Sequence, residues 1–202
     1  MIVVNPGYTA AIIQLGLIVL TASGWKEEVG GVLSAKKLIL FLATGMLTAG
    51  VLIPLNETII IVLCDVIYLA AASYALQVEE GQRARMRLVT ASVLLIAWAG
   101  IMAFTQRWST FILVAPAIDF ALGAAVVTAV SVRGAMQQFA VLWLAVTTFG
   151  LWGQAMSHAT PLRINDAAGH DVLWLSFLAD RFLSSLLEWR PLRRIPTRFR
   201  NK

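Results

Sequence analysis

Three carboxylates interrupt otherwise apolar runs of this chain: Asp65, Asp119 and Asp180, the last followed directly by Arg181. Ionisable side chains in such runs are costly, usually face a bundle interior and commonly mark ion or proton pathways. If the three helices that carry them all run inward from the outer side, each acid lies about 10 to 14 Å from its helix's outer end at 1.5 Å per residue. A shared acidic level with Arg181 as counter-charge is the chemistry of a proton-coupled or ion-conducting passage. On a helix, Arg181 points about 100° away from Asp180, so it is expected to meet Asp65 or Asp119 instead. The competing reading is structural: a buried acid pins its helix in register, held by backbone groups or by Tyr68. Pro116, one turn before Asp119, is expected inside its span, where a proline kinks a helix or frees a carbonyl.

A second constellation, Glu57, Arg107, His158, Asp166, His170 and Asp171, falls in or beside the loops of the same outer side. Two histidines among carboxylates have the ligand types for a metal, but His158 and His170 match no short ligand motif across a loop containing Pro161. His170-Asp171 reads equally well as a helix start with an acid in its first turn. Cys64 is the only cysteine and sits in an apolar run, so neither an intrachain disulfide nor a cysteine-based metal site is expected, and its role is read as packing. No metal and no cofactor are expected. Glu79-Glu80 before Arg83 resembles the paired glutamates of membrane prenyl-protein proteases, yet their arginine falls one residue later and the histidine element is missing. No GxSxG, HExxH or phosphate-binding glycine loop is present, so no catalytic residue is assigned and a non-enzymatic role is favoured.

The elements that must hold these groups are apolar helices. Hydrophobic residues make up 59% of the 202 and charged residues only 13%, against roughly 25% charged in soluble domains. Seven apolar blocks, 7–24, 38–53, 58–76, 88–105, 110–132, 135–156 and 171–189, predict an all-α transmembrane bundle forming one domain over 1–202, with a basic tail at 190–202. The first block lacks a basic flank before it, so it is read as a span rather than a cleaved leader. Gly45, Gly50 and Gly123 are read as helix-packing positions, and Trp143 and Trp152 as interfacial aromatics.

The last block is two-faced: Ser176, Asp180, Arg181, Ser184, Ser185 and Glu188 share one side, and Leu175, Leu178, Ala179, Phe182 and Leu186 the other. Such a helix either lies flat at the interface or spans with its polar side turned into a bundle. Loop charge favours the span. With the N-terminus outside, every Lys and Arg except Arg107, Arg163 and Arg181 falls on the cytoplasmic side, including the tail's Arg190, Arg193, Arg194, Arg198, Arg200 and Lys202. Seven spans, N-out and C-in, is therefore the expected topology, with six spans plus an interfacial C-terminal helix as the rival. The net charge of +5 is read as orientation, and nucleic acid is not an expected partner. The expected partners are the bilayer and anionic headgroups at its cytoplasmic face; no protein partner is specified, and a homo-oligomer stays open. A multi-pass protein of a bacterial cytoplasmic membrane follows. Its activity is either a small-solute or proton carrier or ion-conducting protein using the intramembrane carboxylates, or a non-catalytic scaffold or regulatory subunit acting through its tail.

The opening Asn5-Pro6-Gly7-Tyr8, the Gly24-Trp25 exit from the first block and the approach Leu33-Ser34-Ala35-Lys36-Lys37 resemble the start of the YphA-like family of small bacterial membrane proteins. The resemblance covers approximately residues 1–40 together with length and hydropathy. It implies an integral membrane protein without an assigned activity and carries over no functional residue.

Overall fold

The computed structural model describes residues 6–30, 33–78, 82–105, 115–158 and 161–188. Among them the chain is predominantly helical: α1 (Tyr8–Ala22), α2 (Lys26–Gly30), α3 (Ala35–Thr48), α4 (Leu63–Val78), α5 (Gln82–Thr105), α6 (Pro116–Ser131), α7 (Ala135–Met156) and α8 (Ala167–Glu188). Three short strands, β1 (Leu52–Pro54), β2 (Ile59–Val62) and β3 (Leu162–Ile164), form one sheet in the order β1-β2-β3.

The strands correct the expected blocks 38–53 and 58–76, which end and begin as sheet rather than helix. The physical reason lies in Ile59 to Val62, a wholly β-branched run, whose side chains favour the pleated surface over a helix. Asn56 turns the chain back, its Oδ1 accepting from the Thr58 and Ile59 amides at 2.9 and 2.7 Å. β1 then pairs antiparallel with β2, Ile53 opposite Ile61, and β2 pairs parallel with β3, Ile60 opposite Arg163. The far side of β3 is held by Gln154 of α7, whose amide oxygen accepts from the Arg163 N–H and whose amide nitrogen donates to its carbonyl, both at 2.7 Å.

Helix starts follow local chemistry. Ser34 caps α3 by accepting from the Lys37 amide, and Asp166 caps α8 by accepting from the Gly169 amide at 2.9 Å. Pro116 occupies the first position of α6, where its missing N–H costs nothing and its fixed φ suits the helix. It therefore starts the helix instead of kinking a longer one, and 110–114 of that expected block lies outside the described residues.

The N-termini of α1, α4 and α8 and the C-terminus of α7 meet at the end of the molecule that carries the sheet. At the opposite end, Gln138 near the start of α7 donates to the carbonyl of Val132, just past α6, and to Ser184 late in α8. α7 is the central helix, packed against α4, α5, α6 and α8, and its residues from Ala135 to Trp143 are buried without a break. Around it Phe139, Trp174, Phe177, Tyr68 and Phe41 form an aromatic core of edge-on and tilted rings with neighbouring centroids 5.3 to 6.0 Å apart. Gly45 admits Tyr68 to that core, since a Cβ there would stand 2.6 Å from the tyrosine hydroxyl.

Two described segments, Arg85–Met102 of α5 and Ala135–Met156 of α7, are long and apolar enough to cross a membrane, while α1, Leu63–Tyr74 and α6 are shorter apolar helices. Helices of 14 to 16 residues, as in α3, α4 and α6, rise about 21 to 24 Å, short of a hydrocarbon core of about 30 Å.

Candidate functional site

Two polar stations are built into the interior. The first lies where α4 and α8 begin. Cys64 and Asp65 sit in the first turn of α4, His170 in the first turn of α8, and all three are buried. His170 Nε2 stands 3.4 Å from Cys64 Sγ and 3.4 Å from each Asp65 oxygen.

The two oxygens of Asp65 differ sharply. Oδ1 accepts from Trp143 Nε1 of α7 and from Asn165 Nδ2, both at 3.0 Å, whereas Oδ2 has no hydrogen-bond partner. Asn165, between β3 and α8, adopts a left-handed φ of 46°, a conformation asparagine tolerates better than most residues. That turn aims its amide at Asp65 while also donating to Thr147 of α7 at 2.7 Å. The sheet thus positions the site, because β3 carries the chain to Asn165. Trp143, expected at a membrane interface, is instead buried beside Asp65.

The second station lies on α8. The ten residues from His170 to Asp180 rise about 15 Å, so Asp180 is well removed from Asp65, which touches His170. The three aspartates accordingly do not gather at one level. Asp180 is fully buried, and neither of its oxygens has a hydrogen-bond partner. Ser176 and Ser184, one turn away on either side, are buried on the same face. Arg181 is half-buried and donates to Gln138 Oε1 of α7 at 2.6 Å, a hydrogen bond that joins α8 to α7. Asp119 lies half-buried in the first turn of α6.

The outer constellation is also dispersed. Glu57 is exposed at the β1-β2 turn, His158 is exposed just past α7, and Asp166 is used as the α8 cap. Arg107 and the tail bases from Arg190 to Lys202 lie outside the described residues, as do Glu79 and Glu80. Among the described residues of this constellation, only His170 enters the buried site. Asp171 turns the other way and accepts from the Gly7 and Ala10 amides at 2.8 and 2.6 Å. It caps α1 from 164 residues away, placing a carboxylate at the positive end of that helix. Asp171→Ala is expected to cost about 1 to 2 kcal/mol, as loss of a helix cap does. Thermal unfolding of the purified protein would show the drop, and amide exchange should rise in the first turn of α1 with α8 unaffected.

The sequence carried a signal for the first station that motif spacing does not capture. With alternating apolar blocks, 58–76 and 171–189 begin at the same end, which brings Cys64-Asp65 near His170 although 105 residues separate Asp65 from His170. No family model matches the chain, nor does any curated protein or solved structure.

Proposed function

We propose that this chain is a multi-pass membrane protein in which α1 and α3 to α8 cross the bilayer seven times, N-out and C-in, the short helices α1, α3, α4 and α6 where the bilayer thins around them, and that the polar face of α8 carries a proton or small cation past Asp180. The observation that carries this reading is the inverted dress of α8. Asp180 is 0% exposed, while Phe182, two residues on, is 65% exposed. In water the preference runs the other way, because charged groups are almost never fully buried without partners and large apolar patches are not left uncovered.

The same inversion recurs elsewhere. Ile12 and Val19 of α1, Leu47 of α3, Val93 of α5 and Val130 of α6 are exposed, while Gln14 and Gln138 are buried. Hydrocarbon accommodates that arrangement, since the outward side chains need no water and the inward polar groups are shielded by sister helices. Two residues favour a passage over a scaffold: Asp180 and Ser176 offer polar atoms along one interior face, and the Asp180 oxygens are left available to a transient ligand. The basic tail, read from sequence as cytoplasmic, would meet anionic headgroups there.

The test is reconstitution into sealed vesicles with a pH-sensitive dye inside. A pH gradient should decay faster with the wild-type protein than with empty vesicles, and Asp180→Asn should return the decay to the empty-vesicle rate at equal incorporation. Equal rates for the two proteins would refute the passage. Topology is read separately: Ala167→Cys should react with an impermeant maleimide from outside the cell and Arg198→Cys should not, with the buried native thiol of Cys64 silent in both.

A further inference from the structure

We infer that Cys64, Asp65 and His170 form a binding site for a divalent transition-metal ion of zinc type. The site is distinct from the passage proposed at Asp180 and does not depend on it. One ligand atom from each residue, the thiol sulfur, a carboxylate oxygen and an imidazole nitrogen, all lie within 4.8 Å of one another.

The spacings accommodate a shared ion as well as the long hydrogen bonds they describe. A charge-assisted N–H···O bond closes to about 2.7 to 2.9 Å, and the His170 to Asp65 distances of 3.4 Å are well outside that range. Bonds of about 2.3 Å to sulfur, 2.0 to 2.1 Å to nitrogen and 2.0 to 2.2 Å to oxygen, set at tetrahedral angles, put ligand atoms about 3.6 Å apart for S···N and about 3.4 Å apart for N···O. The observed separations of 3.4 Å for both pairs fit those edges.

The division of labour at Asp65 is a second, independent observation. Oδ1 is engaged by Trp143 and Asn165, which fix the carboxylate plane, and by His170 Nε2 at 3.4 Å, while Oδ2, also 3.4 Å from His170 Nε2, is buried and has no hydrogen-bond partner. This is the pattern of a ligating carboxylate oriented by groups behind it.

Charge and ligand type select the ion. A thiolate and a carboxylate together neutralise a dication, so the occupied centre carries no net charge into a buried setting where an unpaired charge is expensive. Sulfur with imidazole favours zinc, cobalt or a similar ion over magnesium or calcium, which take oxygen ligands. Three protein ligands leave one tetrahedral position for water or an exogenous ligand, and they tie the start of α4 to the start of α8.

The experiment uses the full chain in detergent, stripped with a chelator and titrated with Co²⁺. Thiolate bound to cobalt gives an intense near-ultraviolet charge-transfer band, and with Cys64 the only cysteine that band reports on this site alone. The expected result is one equivalent of Co²⁺, displaced by Zn²⁺. The near-isosteric Cys64→Ser should lose the band while keeping weaker binding, and His170→Gln should weaken binding by more than about 100-fold. Asp180→Asn should bind as the wild type does, which separates this result from the passage reading. Absence of the band in the folded wild-type protein, or metal affinity unchanged in both Cys64→Ser and His170→Gln, would overturn the assignment.

Discussion

Trp174→Ala is expected to be among the most destabilising single substitutions in this protein, at about 3 to 5 kcal/mol, the range for deleting a large aromatic from a packed core. Trp174 is fully buried on α8, and its ring centroid lies 5.4 Å from Phe139 of α7, 5.9 Å from Phe177 and 6.0 Å from Tyr68 of α4. Alanine removes that whole surface, and the hole is bordered by rings that are themselves wedged: Phe139 also meets Phe41 and Phe177 edge-on. Such a site cannot collapse far, which places the cost toward the upper end of the range. Chemical denaturation in mild detergent, followed by helical signal, measures it. Phe182→Ala on the same helix should change stability by less than about 0.5 kcal/mol, because that ring faces outward. A Trp174→Ala cost no greater than that of Phe182→Ala would mean α8 is not the buried strut described here.

The contrast between these two positions shows which part of the fold could be read in advance. Helical periodicity alone separates Ser176, Asp180 and Ser184 from Leu178, Phe182 and Leu186, and the structure keeps that division, burying the first set and exposing the second. Periodicity is a property of the helix itself, so a single sequence contains it. Sheet pairing is not. Ile59 to Val62 merges with the apolar start of α4 in a hydropathy reading, and the partner that makes it a strand centre, β3, lies about a hundred residues away. The β-branched run behind the Asn56 turn was the available local cue.

The site was half legible for the same reason. Asp65 and Asp180 stand out as acids in apolar runs, and both are buried. What they touch depends on helix directions and on Asn165, whose role arises from a left-handed turn that no motif encodes. Cys64 belongs to no ligand motif because the imidazole beside it comes from a helix about a hundred residues away, while the carboxylate is that of its own neighbour Asp65. Asp171, in turn, looked like a rim ligand because its real partner is a helix N-terminus far away in sequence.

Asp180→Asn is expected to raise stability by no more than about 1 kcal/mol while it stops the proposed passage. Ionised, Asp180 is a charge in surroundings that offer its two oxygens no donor; uncharged, it still leaves a hydroxyl and a carbonyl unpaired. Either form carries a desolvation cost. The neighbouring Arg181 offsets part of it, but its guanidinium reaches toward Gln138 of α7. Asparagine keeps the shape and the unpaired polar atoms but removes the charge, so the packing of α8 is preserved and only the part of the penalty due to ionisation is relieved. A residue that exists to lock helices together would behave in the opposite way, since removing one partner of a buried lock costs about 3 to 5 kcal/mol. The sign of the stability change therefore discriminates between the two roles without any flux measurement. A destabilised Asp180→Asn protein identifies a structural carboxylate, and a stabilised protein that no longer dissipates a pH gradient identifies one retained for function at the expense of the fold.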